Sequence, residues 1–250
     1  MKTRRADENM LEIVGVSKHF NGVKAVTEVS CTVAKGAITG LIGTNGAGKT
    51  TLFNMICGYH EPDSGSIRFN GREITGKPPH TVATAGIGRT FQNLRTIKKL
   101  STLDNVMLAF NPGASPLASL KRGMERQHRE RAQELLTFVG LSGKADEPAG
   151  ELSYGQQKLL NLACCRALDP ALLLLDEPVA GVNQEMTAKI LDLLRNMREE
   201  GIGVLIIEHN MEAVMEVSDR LIVMAGGQVI ADGEPARIRE NPDVIEAYLG

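Results

Sequence analysis

The chain has 250 residues, 42% of them hydrophobic, and a formal net charge of −2. That is enough for one large domain, or a core carrying a smaller subdomain, and it excludes compositional disorder. The near-neutral balance supplies no global basic field, so nucleic acid is not an expected partner.

In chain order, residues 1–10 are mixed in charge, lack the apolar centre of a signal peptide and read as a loose tail. Residues 11–16 alternate as a strand does; residues 29–33 and 37–42 follow, separated by Lys35-Gly36. A glycine-rich turn opens at Gly43, and residues 49–57 have helical spacing. Residues 65–69 form a short strand closed by Asn70-Gly71, a hairpin signal. From 103 to 168 the pattern is mostly helical, with pieces at 102–110, 125–139 and 155–167 and a break with two prolines at 111–116. Alternation then resumes: a buried strand at 172–175, an amphipathic helix at 184–199, a second buried strand at 204–207, and a hairpin of 221–224 with 228–231 through Gly226-Gly227. This predicts an α/β nucleotide-binding core with a largely parallel sheet, an antiparallel β subdomain, and an inserted helical subdomain. The division is 10–95 and 156–250 for the core, 96–155 for the insertion.

No apolar run approaches the roughly 20 residues that cross a bilayer. The four cysteines, Cys31, Cys57, Cys164 and Cys165, have no metal-ligand spacing and read as buried small hydrophobes of a reducing compartment. A cytoplasmic protein is expected, with any membrane role supplied by partners.

Gly43-Thr44-Asn45-Gly46-Ala47-Gly48-Lys49-Thr50 fits G-x-x-x-x-G-K-[ST] at every fixed position, with Thr51 next and an apolar strand before it. Glycines let successive N–H groups face an anion, and the following helix turns its positive end to the same anion. Lys49 adds a charge for the β- and γ-phosphates, and the Thr50 hydroxyl is a ligand for Mg2+. The bland reading is a glycine-rich turn with a chance lysine; strand and helix on the correct sides oppose it. Leu172-Leu173-Leu174-Leu175-Asp176-Glu177 is a buried strand ending in two acids. Beyond a strand's C-terminal edge both can reach one crevice. There Asp176 would hold Mg2+, and Glu177 would polarise the water that attacks the γ-phosphate of ATP. The alternative is that the acids merely begin a loop.

Leu152-Ser153-Tyr154-Gly155-Gln156-Gln157 reads two ways. Ser153 with Gln156 is a capping box, and the same capped helix start with its glycine is also an anion site. The residues alone leave both open. The order phosphate loop, Phe91-Gln92, Leu-Ser-Tyr-Gly-Gln, Leu-Leu-Leu-Leu-Asp-Glu-Pro, then Glu208-His209 resembles the ATPase subunit of ATP-binding cassette transporters, over about residues 11–250.

That resemblance implies further roles. Ser153 and Gly155 would contact the γ-phosphate of ATP held by the opposite subunit. Gln92 would sense the phosphate and Mg2+ and couple them to membrane subunits. His209 would hold the attacking water with Glu177, and Phe20 would stack on adenine. Residues 181–183 would lie in a loop crossing a dimer interface. On their own these residues have plainer readings: Phe20 a core aromatic, Gln92 a loop residue, His209 a strand-end histidine, Asn183 a helix N-cap. Four positions depart from the common pattern: Tyr154 for glycine in the signature, Val182-Asn183 for leucine and aspartate, and Thr44 for a frequent proline.

Tyr-Gly-Gln-Gln, Glu-Pro-Val-Ala-Gly-Val-Asn, Ile-Glu-His-Asn-Met, the closing Asn-Pro-Asp-Val-Ile-Glu-Ala-Tyr-Leu-Gly and the segment 111–131 are similar to one branch, the ATPases of branched-chain amino acid importers and their urea and amide relatives. The resemblance implies a second cassette ATPase, two transmembrane permease subunits, an extracytoplasmic solute-binding protein acting indirectly, and a place on the inner face of the cell membrane. The chain carries one copy of each motif, so a complete site needs two chains. Soluble cassettes of translation or DNA repair are the rival class, but they carry two cassettes or a long coiled coil. Small-metabolite kinases lack the signature, and a cassette that binds without turnover would not need Glu177 and His209.

Overall fold

The computed structural model describes residues 9–90, 96–110 and 122–249. Two sheets organise it. The first is antiparallel and runs β2-β1-β4-β5, with β1 at Asn9–Phe20, β2 at Val23–Ala34, β4 at Ser64–Phe69 and β5 at Arg72–Glu73. The Asn70-Gly71 turn closes β4 on β5 with left-handed backbone at both residues (φ 48° and 73°), the geometry a two-residue hairpin needs.

The second sheet has six strands in the order β10-β9-β3-β8-β7-β6. These are β3 (Ile38–Gly43), β6 (Ile87–Arg89), β7 (Leu172–Asp176), β8 (Gly203–Ile207), β9 (Arg220–Ala225) and β10 (Gln228–Gly233). All neighbours are parallel except the β9–β10 hairpin. Strands buried on both faces read as near-continuous apolar runs. In β7, Leu173 and Leu175 enter one hydrophobic core while Leu172 and Leu174 enter the other; Val204 and Ile206 of β8 part from Leu205 and Ile207 in the same way.

The core on one side of this sheet holds α1 (Lys49–Ile56) between the two sheets, with Leu52, Phe53, Met55 and Ile56 buried. The core on the other side is helical. It is built by α3 (Thr102–Ala109), α4 (Arg122–Phe138), α5 (Tyr154–Ala167), α6 (Gln184–Glu199) and α7 (Met211–Val217). Helices α3, α4 and α5 also pack on one another. Shorter helices complete the chain: α2 (Pro79–Thr84), α8 (Pro235–Arg239) and α9 (Pro242–Leu249).

Elements expected from periodicity occur with small shifts, β1 and β2 being longer at both ends. Met10 corrects the expected tail: it is a core residue of β1, 3% exposed, and its sulfur lies 2.5 Å from where a Cβ on Gly203 would stand. A methionine beside charged residues gives no periodic signal of this. Strand β6 and helices α2, α7, α8 and α9 were not separately expected; three to eight residues are too few to establish a period.

Candidate functional site

Strands β3, β8, β7 and β6 are adjacent and parallel, so the segments leaving their C-terminal ends converge. The glycine-rich loop leaves β3, Glu208-His209 leaves β8, Asp176-Glu177 ends β7, and Gln92 follows β6. Gln92 itself, with Phe91, lies outside the described residues.

The loop requires glycine at two places for space as well as for conformation. A Cβ on Gly43 would stand 2.2 Å from the Met224 carbonyl oxygen, and one on Gly48 2.4 Å from that of Ala25. Gly48 also has φ 97° immediately before α1. Lys49 is buried at the start of α1; its Nζ donates to the carbonyls of Gly43 (2.7 Å) and Thr44 (3.0 Å). Burial lowers the ammonium pKa, and the charges of Glu177 and Asp176 partly offset this.

A cavity of about 460 Å³ opens over the loop. Its walls are residues 45–51, Val23, Lys24 and Ala25 of β2, and Glu177, Ile207 and His209. The cluster therefore unites Asn45, Gly46, Ala47, Gly48, Lys49, Thr50 and Thr51 with both of the residues expected to handle water. Glu177 Oε1 is 3.1 Å from His209 Nε2. Glu177 has left-handed backbone (φ 51°), an unfavourable region for a residue with a Cβ. Its N–H donates to Ile207 O at 2.9 Å, and its carbonyl accepts from Lys158 Nζ at 2.6 Å.

Asp176 is buried behind this surface. Its carboxylate lies 3.6 Å from Arg89 Nη2, and its N–H donates to Thr90 Oγ1 at 3.2 Å. Burial raises its pKa, and the Arg89 charge pulls it back. Arg89 also donates to Asn54 Oδ1 (2.7 Å), tying β6 to α1. Glu208, 2% exposed, accepts from the N–H groups of Val179 (2.8 Å), His209 (3.1 Å) and Asn210 (3.4 Å); burial raises its pKa against those bonds.

The remaining expected residues stand apart from the cavity. Ser153 is exposed at the start of α5 and forms the capping box: its side chain accepts from Gln156 N, and Gln156 Oε1 accepts from Ser153 N at 2.9 Å. Neither Ser153 nor Gly155 lines the cavity. Phe20 closes β1, half-exposed, with its ring edge-on to His60 at 5.1 Å; its cross-strand partner Val23 does line the cavity. Asn183 caps α6, accepting from Met186 N.

Sequence reasoning missed Val23, Lys24, Ala25, Ile207, Lys158, Glu208 and Arg89. Lys158 and Glu208 carried a partial signal, a charge directly beside an apolar run, Leu159-Leu160 for the first and Ile206-Ile207 for the second. The β2 residues carried none, since an edge strand wraps over the loop only in three dimensions.

Comparison with known proteins accords with this geometry. The ABC transporter family matches residues 26–180, and a family described as branched-chain amino acid ATP-binding cassette transporter matches residues 228–250. The high-affinity branched-chain amino acid transport ATP-binding protein BraF of Pseudomonas aeruginosa is 41% identical over 250 aligned positions, covering 96% of this chain and 98% of BraF. A probable branched-chain amino acid transport ATP-binding protein, LivG of Archaeoglobus fulgidus, is 39% identical, covering 96% and 95%. The crystal structure of the ADP conformation of MJ1267, an ATP-binding cassette of an ABC transporter, superposes with a TM-score of 0.85 at 36% identity, covering 97% of this chain and 99% of that one. With the phosphate loop, the paired acids and the signature helix arranged as described, the chain belongs to the ABC transporter family, as one of its ATP-binding, ATP-hydrolysing cassettes.

Proposed function

We propose that this chain is the ATPase subunit of an importer for branched-chain amino acids. The observation that carries the catalytic half of this reading is the single cavity in which the Lys49 loop, Glu177 and His209 meet, with Glu177 and His209 3.1 Å apart. The likeness to BraF and LivG supports the solute class.

The nucleotide phosphates rest on the backbone N–H groups of residues 44–50, with the start of α1 and Lys49 supplying positive charge. Thr50, Asp176 and Gln92 would hold Mg2+, as the family resemblance implies. A hydroxyl and a carboxylate are hard oxygen donors, which suit an ion that keeps most of its ligands as water and phosphate oxygen. Bound there, Mg2+ would neutralise charge on the β- and γ-phosphates. Glu177 accepts a proton from the attacking water, and His209 orients the Glu177 carboxylate toward it. Phe20 offers a ring at the adenine end.

Ser153 and Gly155 would act on the nucleotide of a second cassette, as the family resemblance implies, and their place off this chain's own cavity is compatible with that. Residues 10–95 and 156–250 form the nucleotide-binding core and residues 96–155 the helical part, which runs on into α5. Among the described residues no helix is long and apolar enough to cross a membrane. On the likeness to importer cassettes, the chain would work at the inner face of the cell membrane with two permease subunits and, through them, an extracytoplasmic binding protein.

Glu177→Gln tests the chemistry. The variant should bind ATP with little change, lose at least about a hundredfold in kcat, and elute with ATP as a stable dimer. Wild-type turnover in this variant would sink the role of Glu177. For the solute, the complex with its permeases and binding protein should accumulate leucine in proteoliposomes; uptake of urea or an amide in its place would overturn that assignment.

A further inference from the structure

A lysine on the inner face of a helix is costly unless its charge is met. Lys158 of α5 is such a residue, 9% exposed. Its Nζ donates to the Glu177 carbonyl at 2.6 Å and stands 5.4 Å from the centre of the Tyr154 ring. The Glu208 charge also acts on it. Glu208 in turn holds the N–H of Val179, two residues after Glu177, and that of His209. One buried cation and one buried carboxylate thus join the segments leaving β7 and β8, which carry the two residues facing water in the cavity.

The Glu177 backbone explains why such a joint is useful. A left-handed conformation in a residue with a Cβ persists only where the surroundings over-determine it. Here the peptide is fixed on both sides, by Ile207 O on its N–H and by Lys158 on its carbonyl. With the lysine removed, the carbonyl loses its donor and the Glu177 side chain loses its fixed bearing on His209. The lysine belongs to the helix that Ser153 caps, five residues upstream. Tyr154 lies on that helix against the crossing loop, since a Cβ on Gly181 would stand 3.2 Å from its ring.

We propose that Lys158 is a positioning residue for Glu177, and that α5 thereby connects the nucleotide of the partner cassette, at Ser153, with the water-polarising carboxylate of its own chain. The second half rests on the function proposed above. Displacement of α5 when its start engages the partner's nucleotide moves Lys158 with it, because a helix transmits motion along its axis as a rigid rod. The bearing of Glu177 on His209 then changes when the second site is filled.

The test uses the purified full-length chain with Mg-ATP, in steady-state ATPase and in binding of a fluorescent ATP analogue. Lys158→Met should lower kcat at least about tenfold, leaving KM and analogue affinity within about threefold. Lys158→Arg, which keeps a cation and an N–H donor, should recover most of the loss. Wild-type kcat in Lys158→Met overturns the proposal. So does an equal loss in both variants accompanied by loss of nucleotide affinity and a lower Tm, the pattern of a purely structural lysine. If Lys158→Met does not fold, Lys158→Gln takes its place under the same criteria. Glu177→Gln measured alongside separates the two readings: an active Glu177→Gln sinks the proposed chemistry, whereas an inactive Glu177→Gln beside a fully active Lys158→Met sinks only the role of Lys158.

Discussion

At Glu177 stability and chemistry pull in opposite directions. The left-handed backbone (φ 51°) costs a residue bearing a Cβ about 1 kcal/mol, and glycine avoids that cost. Glu177→Gly should therefore be more stable than Glu177→Ala by about 1 kcal/mol in urea denaturation, with both variants inactive. Equal stabilities would mean that the neighbouring hydrogen bonds, rather than the Glu177 conformation itself, bear the strain. The buried acids nearby follow the same logic. Asp176 and Glu208 both have carboxyl pKa values raised by burial, and each is restrained by partners that favour the charge, Arg89 for the first and three backbone N–H groups for the second. A raised carboxyl pKa contributes stability that is present at low pH and lost as the pH rises through the folded value, so neither group contributes to acid unfolding.

At the scale of elements, helix starts are the most strongly specified features. Asn183, Ser153, Ser101 and Asn210 each cap the helix that follows, with the side chain accepting a backbone N–H. Asn183→Ala should cost about 1 kcal/mol in urea denaturation without changing the m-value; an unchanged midpoint would show that the cap is dispensable. The starts at Ser153 and Asn183 were readable because a cap is a local pattern of one residue type at a fixed offset; those at Ser101 and Asn210 were not read. The glycine loop, the leucine strand ending in Asp176 and the α6 stripe were readable for the same reason. What was not readable is contact between distant segments. Lys158 and Glu177 are far apart in sequence and in different elements, and nothing within either segment announces the other. Met10 belongs to the core because β1 pairs with β2 and β4, and that pairing is a property of the sheet. The signature helix was legible as a capping box, yet its separation from the cavity appears only once α5 is placed across the sheet.

For the molecule as a whole, the two cores are closed enough to silence its thiols. Cys31 and Cys164 are pushed up to about 12 and Cys57 to about 11 by burial, and Cys165 is raised by the same cause. At pH 8 almost none of each is thiolate, the reactive form. Iodoacetamide at that pH should leave all four unmodified in the native protein and label all four in urea, as read by intact mass. Rapid labelling of one thiol in the native protein would show that its core opens locally.

Those two cores also divide the mechanical work. Helix α1, which begins at Lys49, is embedded in the core shared with the antiparallel sheet, while α5 is embedded in the helical core on the opposite face of the six-stranded sheet. The sheet is a bulkhead between them. A load applied to the helical side meets two faces of close-packed strands before it reaches the phosphate loop. It can also pass around the end of the bulkhead, where β7 and β8 stop and where Lys158 holds the Glu177 carbonyl and Glu208 holds the Val179 N–H. If Lys158 positions Glu177 as proposed, the place where a phosphate bond would be broken is also a place where force can cross the molecule, and chemical step and stroke would share one axle.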